Sequence, residues 1–123
     1  MPATMAKSFD NPDELRTPPH ANVAVVDLNG SKVARLTLAP GWRWSEAIRP
    51  IVGTETCQVH HLGVLVSGTM HVVAADGNQY DVGPGSAYVI EPGHDAWVIG
   101  SDPVVAFEFD TLAAATFAAT PTH

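Results

Sequence analysis

Turn-forming residues are spread along this chain so evenly that only short strands fit between them. Ten glycines and ten prolines occur in 123 residues. Between Ala21 and Phe109 a corner containing one or both of them recurs roughly every ten residues. Corners at that spacing are typical of a β-sandwich or a closed β-barrel. The sequence therefore predicts an all-β, single-domain fold.

The segments between these corners have the composition of strands. Asn29-Gly30 is a turn pair that accepts positive φ, and the stretches on either side of it form the first predicted hairpin. The second stretch alternates residue by residue, as a half-buried strand does. The predicted strands are residues 21–28, 31–38, 57–66, 69–74, 79–82, 86–90, 96–99 and 104–109.

Three regions follow from this pattern. Residues 1–20 contain four prolines and little periodicity, so we interpret them as an irregular N-terminal arm. Residues 21–110 carry the predicted barrel. Residues 111–123 are alanine-rich and form a tail that either folds as a short helix or frays.

Charge and hydropathy exclude several classes of protein. Six Lys and Arg residues against thirteen Asp and Glu residues give a formal charge of -7, which argues against nucleic acid and against an anionic membrane surface. No apolar run approaches the length of a membrane-spanning helix, and residues 1–11 lack the apolar core of a signal peptide. We therefore expect a cytoplasmic protein without nucleic-acid or membrane partners.

The middle of the chain holds five soft or borderline metal ligands, namely Cys57, His60, His61, His71 and His94. On an extended strand Cys57 and His61 share one face, whereas His60 points the other way. On a straight strand they would stand roughly 13 Å apart, at about 3.3 Å per residue, so sharing one metal requires a bend before His61. The alternatives are a buried, inert cysteine and a histidine that is satisfied in the core or lies on the surface.

Two motifs resemble those of the cupin superfamily. The second motif is the better match, with a turn, a strand and a further turn that delivers a ligand histidine: Gly83-Pro84-Gly85, Tyr88, Ile90, Pro92-Gly93 and His94. The first motif is represented by the strand and glycine turn Val64-Leu65-Val66-Ser67-Gly68. The resemblance spans roughly residues 36–110 and implies a cupin-type β-barrel, also called a double-stranded β-helix or jelly roll, with a central pocket.

The resemblance also implies a ligand neighbourhood that departs from the usual three histidines and one glutamate. His61 falls at the position of the usual glutamate, and Cys57 and Glu55 fall at the positions of the usual histidine pair. His94 lies two residues before the usual last ligand, where this chain has Ala96. The predicted metal ligands are Cys57, His61 and His94. One thiolate and two imidazoles favour zinc, with iron, nickel or copper as alternatives.

Further side chains are candidates for the pocket or for a supporting role, each with a plainer alternative. Asp95 could orient a ligand ring or only bond its own turn, and Glu55 could be an oxygen ligand or a solvated charge. An aromatic side chain could line the pocket or pack in the core. The full set of these candidates is Glu55, Asp95, Trp42, Trp44, Trp97, Tyr88 and His71.

Two function classes stay open on the sequence. The first is a metal-dependent protein that acts on or binds a small organic molecule. The second is a metal-free, non-catalytic module that binds or senses a small ligand. The fold does not choose between them, because cupin barrels serve many unrelated activities. We expect a homodimer built on sheet edges.

Overall fold

The computed structural model describes residues 4–109, and these are mostly β-structure. The predicted tail at residues 111–123 lies outside the described residues. The elements, in chain order, are β1 (Glu14–Arg16), β2 (Ala21–Leu28), β3 (Ser31–Leu38), α1 (Trp44–Ala47), α2 (Arg49–Val52), β4 (His61–Ser67), β5 (Thr69–Val73), β6 (Gln79–Val82), β7 (Ser86–Ile90), β8 (Asp95–Ile99) and β9 (Val104–Phe109).

The strands form two antiparallel sheets. The larger sheet has the order β1-β2-β3-β9-β4-β7, and the smaller has the order β6-β5-β8. β9 lies between β3 and β4 in the larger sheet, whereas β8, the strand before it in the chain, belongs to the smaller sheet. The chain also changes sheets between β4 and β5, between β6 and β7, and between β7 and β8. Two facing sheets with such crossings form the predicted jelly-roll barrel, and the all-β prediction is confirmed.

The β2–β3 hairpin illustrates how local sequence sets register. Leu28 pairs with Ser31 and Ala21 pairs with Leu38, so the loop is the two-residue Asn29-Gly30 turn. Both turn residues have positive φ, 60° and 103°, as a tight hairpin of this kind requires. The predicted turn and both predicted strands are confirmed.

Apolar side chains that alternate along the strands fill the space between the sheets. On β9 the inward residues are Val104, Ala106 and Glu108, and on β5 they are Met70 and Val72. Trp42, Trp44 and Ile48, from the segment between β3 and β4, are buried in the same core cluster. Trp44, the first residue of α1, and Trp42 just before it thus bring two indole rings into the barrel core.

The N-terminal arm is more ordered than the sequence predicted. Glu14–Arg16 pairs with β2, so this part of the predicted arm is a strand. Before it, the Phe9 ring packs on Phe107 with centroids 5.3 Å apart. Three residues are too few to show the alternation that identifies a strand, so the sequence did not predict β1. Among residues 4–109, no helix is long and apolar enough to cross a membrane.

Candidate metal centre

Cys57 is brought to the barrel interior by a backbone bridge to the turn before β8. Its N–H donates to the carbonyl of His94 at 2.8 Å, and its carbonyl accepts from the N–H of Gly93 at 2.7 Å. β4 begins only at His61, so residues 57–60 are not an extended strand. The bend that the sequence required is therefore present, and Cys57 Sγ lies 3.5 Å from His61 Nε2.

His61 is the first residue of β4 and points into the barrel, with an exposed fraction of 4%. Its Nδ1 lies 2.7 Å from Oε1 of Glu108, a buried carboxylate on β9. Because a carboxylate accepts hydrogen bonds, Nδ1 carries a proton and donates it to Glu108. Nε2 is thereby the nitrogen that faces Cys57.

His94 is held in the same way by a backbone acceptor. Its Nδ1 donates to the carbonyl of Glu91 at 2.7 Å, which leaves Nε2 as the ring's acceptor atom. The His94 and His61 rings meet edge to face, with centroids 5.0 Å apart. One donor atom each from Cys57, His61 and His94 lies within 4.8 Å of the others, and all three residues are buried.

Charge stabilisation inside this cluster favours a thiolate next to an imidazolium when no metal is bound. Burial opposes ionisation of Cys57, but hydrogen bonds and positive charge from His61 and His94 outweigh burial and lower the thiol pKa to about 6. Burial likewise opposes a charged His61, but the Glu108 carboxylate and the Cys57 sulfur raise its pKa to about 10. These contacts therefore favour the thiolate of Cys57, and a thiolate is the nucleophilic and metal-binding form of cysteine.

The spacing of the Cys57 and His61 donor atoms fits a small divalent ion. Zinc–sulfur and zinc–nitrogen bonds of about 2.3 and 2.0 Å, at a tetrahedral angle, place the sulfur and nitrogen roughly 3.5 Å apart. The Sγ–Nε2 separation of 3.5 Å matches that spacing. Three protein donors leave a fourth tetrahedral position for another ligand.

Glu108 is the site residue that sequence reasoning missed. Its two carboxylate oxygens accept from different partners, Nδ1 of His61 and the hydroxyl of Tyr88, the latter at 2.6 Å. Burial and the neighbouring carboxylate raise the pKa of Tyr88, so its hydroxyl stays protonated and donates. The signal in the sequence was a lone acidic residue at an inward position of an otherwise apolar strand.

Gly63 makes room for this network. It pairs with Glu108 across β9 and with Tyr88 across β7. A Cβ at this position would lie 2.5 Å from the carbonyl oxygen of Phe107 and 2.8 Å from the Tyr88 hydroxyl. A side chain at position 63 would therefore displace the tyrosine that holds Glu108.

A small cavity adjoins the two histidines. Its volume is about 30 Å³, and its lining includes Trp42, Trp44, Tyr88 and Glu108 together with His61 and His94. The indole nitrogens of Trp42 and Trp44 are buried and have no hydrogen-bond partner among the described residues. The predicted pocket therefore exists, but its interior is nearly filled by side chains.

Solved structures with the same architecture identify the fold. A sugar phosphate isomerase of the cupin superfamily from Silicibacter pomeroyi matches with a TM-score of 0.60 at 14% identity, over 87% of this chain and 75% of that one. The fold is that of the cupins. The polyketide cyclase RemF from Streptomyces resistomycificus also matches with a TM-score of 0.60, at 15% identity over 89% of this chain and 79% of that one. KdgF from Halomonas sp. matches at 0.54, with 19% identity over 78% and 85%.

These similarities concern the fold alone, because the identities are low. The sequence matches no protein-family model and no curated protein. The resemblance to cupins that the two motifs predicted is confirmed by the structural neighbours. The activity of this cupin barrel has to be argued from its own residues.

Several predicted pocket residues lie outside the cavity of this cupin barrel. Asp95 does not contact the His94 ring; its Oδ1 accepts from the Ser45 N–H and its Oδ2 lies 3.5 Å from Arg43 Nε. Glu55 is exposed and pairs with Arg49 at 2.8 Å. Neither carboxylate is part of the lining of the inner cavity.

His71 and Trp97 are neighbours on the outer face of the small sheet. His71 Nδ1 lies 2.6 Å from Asp81 and its ring packs on Trp97, with centroids 4.8 Å apart. The Arg43 guanidinium also lies over the Trp97 ring, with its Cζ 4.2 Å from the ring centroid. Both residues point outward because Met70 and Val72 take the inward positions of β5. Neither residue is part of the lining of the inner cavity.

An outer groove lies beside the cavity. It has a volume of about 680 Å³ and runs between β6 and β7, the edge strands of the two sheets. Tyr88 and Ile90 line both the groove and the inner cavity. These two residues therefore lie between the groove and the cavity that adjoins His61 and His94.

Proposed function

We propose that this cupin barrel binds one divalent transition metal through Cys57 Sγ, His61 Nε2 and His94 Nε2. The single observation that carries the proposal is the convergence of these three buried donor atoms within 4.8 Å. Zinc is the proposed metal, because a thiolate with two imidazoles is a softer donor set than the oxygen-rich sites of magnesium or calcium. A zinc ion there would supply Lewis-acid chemistry at its fourth position.

The chain's own residues define what each donor does. His61 Nδ1 donates its proton to Glu108 and His94 Nδ1 donates its proton to the Glu91 carbonyl, so the Nε2 atom of each ring would be free to bind a metal. Tyr88 donates to the second oxygen of Glu108 and keeps that carboxylate in place. The surrounding apolar side chains exclude water from the donors.

We propose further that the bound metal acts on, or binds, a small organic molecule. The groove offers space for it beyond Tyr88 and Ile90, whereas the inner cavity accepts only a small group. A larger molecule would therefore present one reactive group to the metal and keep its remainder in the groove.

The alternative function is a metal-free, non-catalytic module that binds or senses a small ligand. One observation favours it: a thiolate at Cys57 and an imidazolium at His61 satisfy one another at 3.5 Å without a metal. The two functions differ in whether the purified protein contains metal.

The deciding experiment is elemental analysis of protein purified without chelators or a metal-binding tag. We expect close to one equivalent of metal in the wild type and little in His61→Ala or His94→Ala. Cys57→Ser should bind more weakly and shift the metal preference, because a hydroxyl is a poorer soft ligand than a thiolate. His60→Ala is the matched control, since its side chain is exposed and lies 3.3 Å from Glu91 instead of in the cluster. Full metal content in both single histidine variants would contradict the proposed site. A wild-type protein that contains no metal and takes up no zinc would support the alternative, a metal-free binding module.

We also propose that the protein is a homodimer joined at a sheet edge. The strand β1 supports this, because it lies at one end of the larger sheet and leaves Leu15 55% exposed. Sedimentation equilibrium should give a dimer for the wild type and a monomer for Leu15→Glu, with Leu62→Glu as a control on another exposed apolar residue. A monomeric wild type would reject the proposal.

A further inference from the structure

Three large apolar side chains lie together on the outer face of the larger sheet, where β9, β4 and β7 are adjacent. Leu62 pairs with Val89, and Phe109 follows Glu108, the β9 partner of Gly63, so Phe109 is next to Leu62 in the same row. The exposed fractions of Leu62, Val89 and Phe109 are 43%, 56% and 38%. We call these three residues the apolar patch. Single exposed apolar residues are ordinary, but a contiguous group is typical of a surface that another segment or molecule covers.

Other apolar residues of the same outer face are buried. Phe9, in the N-terminal arm, packs its ring on Phe107, which lies two residues before Phe109 on β9. On β2, Ala24 and Val26 alternate with residues of the core cluster and are nevertheless only 1% and 2% exposed. The apolar patch is therefore the part of this face, at its β4–β7 end, that is left exposed.

The chain continues directly from the apolar patch into a segment with the composition of buried sequence. Residues 110–123 follow Phe109, the last residue of β9, and lie outside the described residues. They include Leu112, Phe117 and five alanines, and none of residues 111–123 is Asp, Glu, Lys or Arg. A solvated segment is usually rich in charge and poor in aromatic residues. The composition therefore favours a segment that buries its two large apolar side chains.

The distances allow this segment to cover the apolar patch. Neighbouring strands are about 4.8 Å apart, so β7 lies about 10 Å from β9 across β4. An extended chain spans about 3.3 Å per residue, so both Leu112 and Phe117 are far enough along the chain from Phe109 to reach Leu62 and Val89. Because the segment is attached at the patch, its effective concentration there is in the millimolar range, which favours it over a second copy at micromolar concentration.

We propose that residues 110–120 bind the apolar patch of their own chain, with Leu112 and Phe117 as the apolar anchors. The patch lies on the outer side of β4 and β7, the strands that carry His61 and Tyr88 on their inner side. The bound segment would therefore stabilise two of the strands behind the metal-ligand cluster. The proposal does not depend on a bound metal.

A double-mutant cycle in the full chain, measured by urea denaturation, tests the contact. Leu62→Ala and Phe117→Ala should each raise the equilibrium constant of unfolding, and the double variant should raise it at least about threefold less than the product of the two single effects. Leu15→Ala with Phe117→Ala is the matched control pair, because Leu15 is exposed on β1, at the opposite end of the sheet order. The effects of the control pair should multiply. Effects of Leu62→Ala and Phe117→Ala that also multiply would overturn the proposal.

Isotope-filtered NMR of the wild-type chain identifies the occupant of the patch, even if a variant fails to fold. In uniformly ¹³C-labelled protein, the methyl groups of Leu62 and Val89 should show nuclear Overhauser contacts with the Phe117 ring. In an equal mixture of labelled and unlabelled protein, an experiment that detects only contacts between different molecules should show none of them. Contacts in the mixture would assign the patch to a second copy of the chain, and no contact in either sample would leave the segment unbound. Each of these two results would overturn the proposal.

Discussion

Nδ1 of His61 donates a 2.7 Å hydrogen bond to Oε1 of Glu108, and this contact decides which nitrogen of the ring faces Cys57. Without a fixed acceptor the imidazole could place its proton on either nitrogen. Glu108 is itself fixed by the Tyr88 hydroxyl. The orientation of the ring therefore depends on a hydrogen-bonded chain that crosses β4, β9 and β7.

Replacing Glu108 by Gln should weaken zinc binding about tenfold to a hundredfold. The amide can still accept from His61, but it carries no charge to increase the basicity of the ring, and its NH₂ group meets the Tyr88 hydroxyl. Competition with a chromogenic chelator measures the affinity. Glu55→Gln is the matched control, because Glu55 is exposed and pairs with Arg49. Equal zinc affinity in Glu108→Gln and wild type would show that Glu108 does not support the metal ligand.

The sequence predicted the strands better than the site. The Asn29-Gly30 turn and the alternation of β3 fix the first hairpin, and β6, β7 and β9 have the bounds predicted for them. These features are local, since they depend on turn chemistry and on neighbouring residues within one strand.

The placement of Cys57 depends on a non-local contact. Its distance to His61 is set by the bridge to His94, a residue 37 positions later in the numbering. Strand geometry alone gave roughly 13 Å for an extended segment. No local sequence pattern around Cys57 indicates that the turn at Gly93 pairs with it. The sequence therefore showed only that Cys57 and His61 need a bend between them to share a metal, and not that the bend is present.

Glu108 was missed for a different reason. The strand around it was predicted, and parity with Val104 and Ala106 places it inward. A single carboxylate in a six-residue strand is usually a solvent-facing residue, and only the partner histidine across the sheet explains its burial. Only the pairing of β4 with β9 brings Glu108 next to His61 and shows that it accepts a hydrogen bond from the ring.

The metal-free protein should contain a Cys57 thiolate at neutral pH. The pKa of this thiol is lowered to about 6, below its ordinary value of 9.0, so the anion predominates above about 6 and is protonated as the pH falls through that value. The ultraviolet absorbance of the thiolate measures the titration. Because Cys57 is the only cysteine, the signal needs no assignment.

The histidine contribution to that titration can be removed. His61→Gln takes away the hydrogen bond and the positive charge but leaves Cys57 buried, so its pKa should rise towards or above the ordinary value. His60→Gln is the control and should leave the pKa of Cys57 at about 6. A thiol that titrates near 6 in His61→Gln as well would contradict the assignment of the shift to His61.

Phe9→Ala should lower the free energy of unfolding by about 1–2 kcal/mol. The Phe9 ring packs on Phe107 and lies under Arg35, whose Cζ is 5.6 Å from the ring centroid. The arm therefore covers the outer face of the large sheet, although its sequence lacks an apolar pattern. Urea denaturation measures the change. Met5→Ala is the control, because Met5 is 43% exposed. If Phe9→Ala changes the free energy of unfolding no more than Met5→Ala does, the packing of Phe9 on the sheet does not contribute to stability.

Gly68→Ala should destabilise the protein by about 3 kcal/mol or more, well beyond the effect of the same change at Gly77. Both glycines have a positive φ, 77° and 86°, so alanine is strained by a similar amount at either position, about 1–2 kcal/mol. A Cβ at Gly77 would meet no atom within 4 Å, whereas one at Gly68 would lie 2.8 Å from Val104 Cα and closer still to the Pro103 carbonyl oxygen. These are backbone atoms at the start of β9, so relief of the clash would displace the strand that carries Glu108.

Chemical denaturation of the two variants separates conformational strain from close packing, and zinc affinity should fall in Gly68→Ala alone. Equal stability of the two variants would mean that the turn after β4 does not pack against β9 as described.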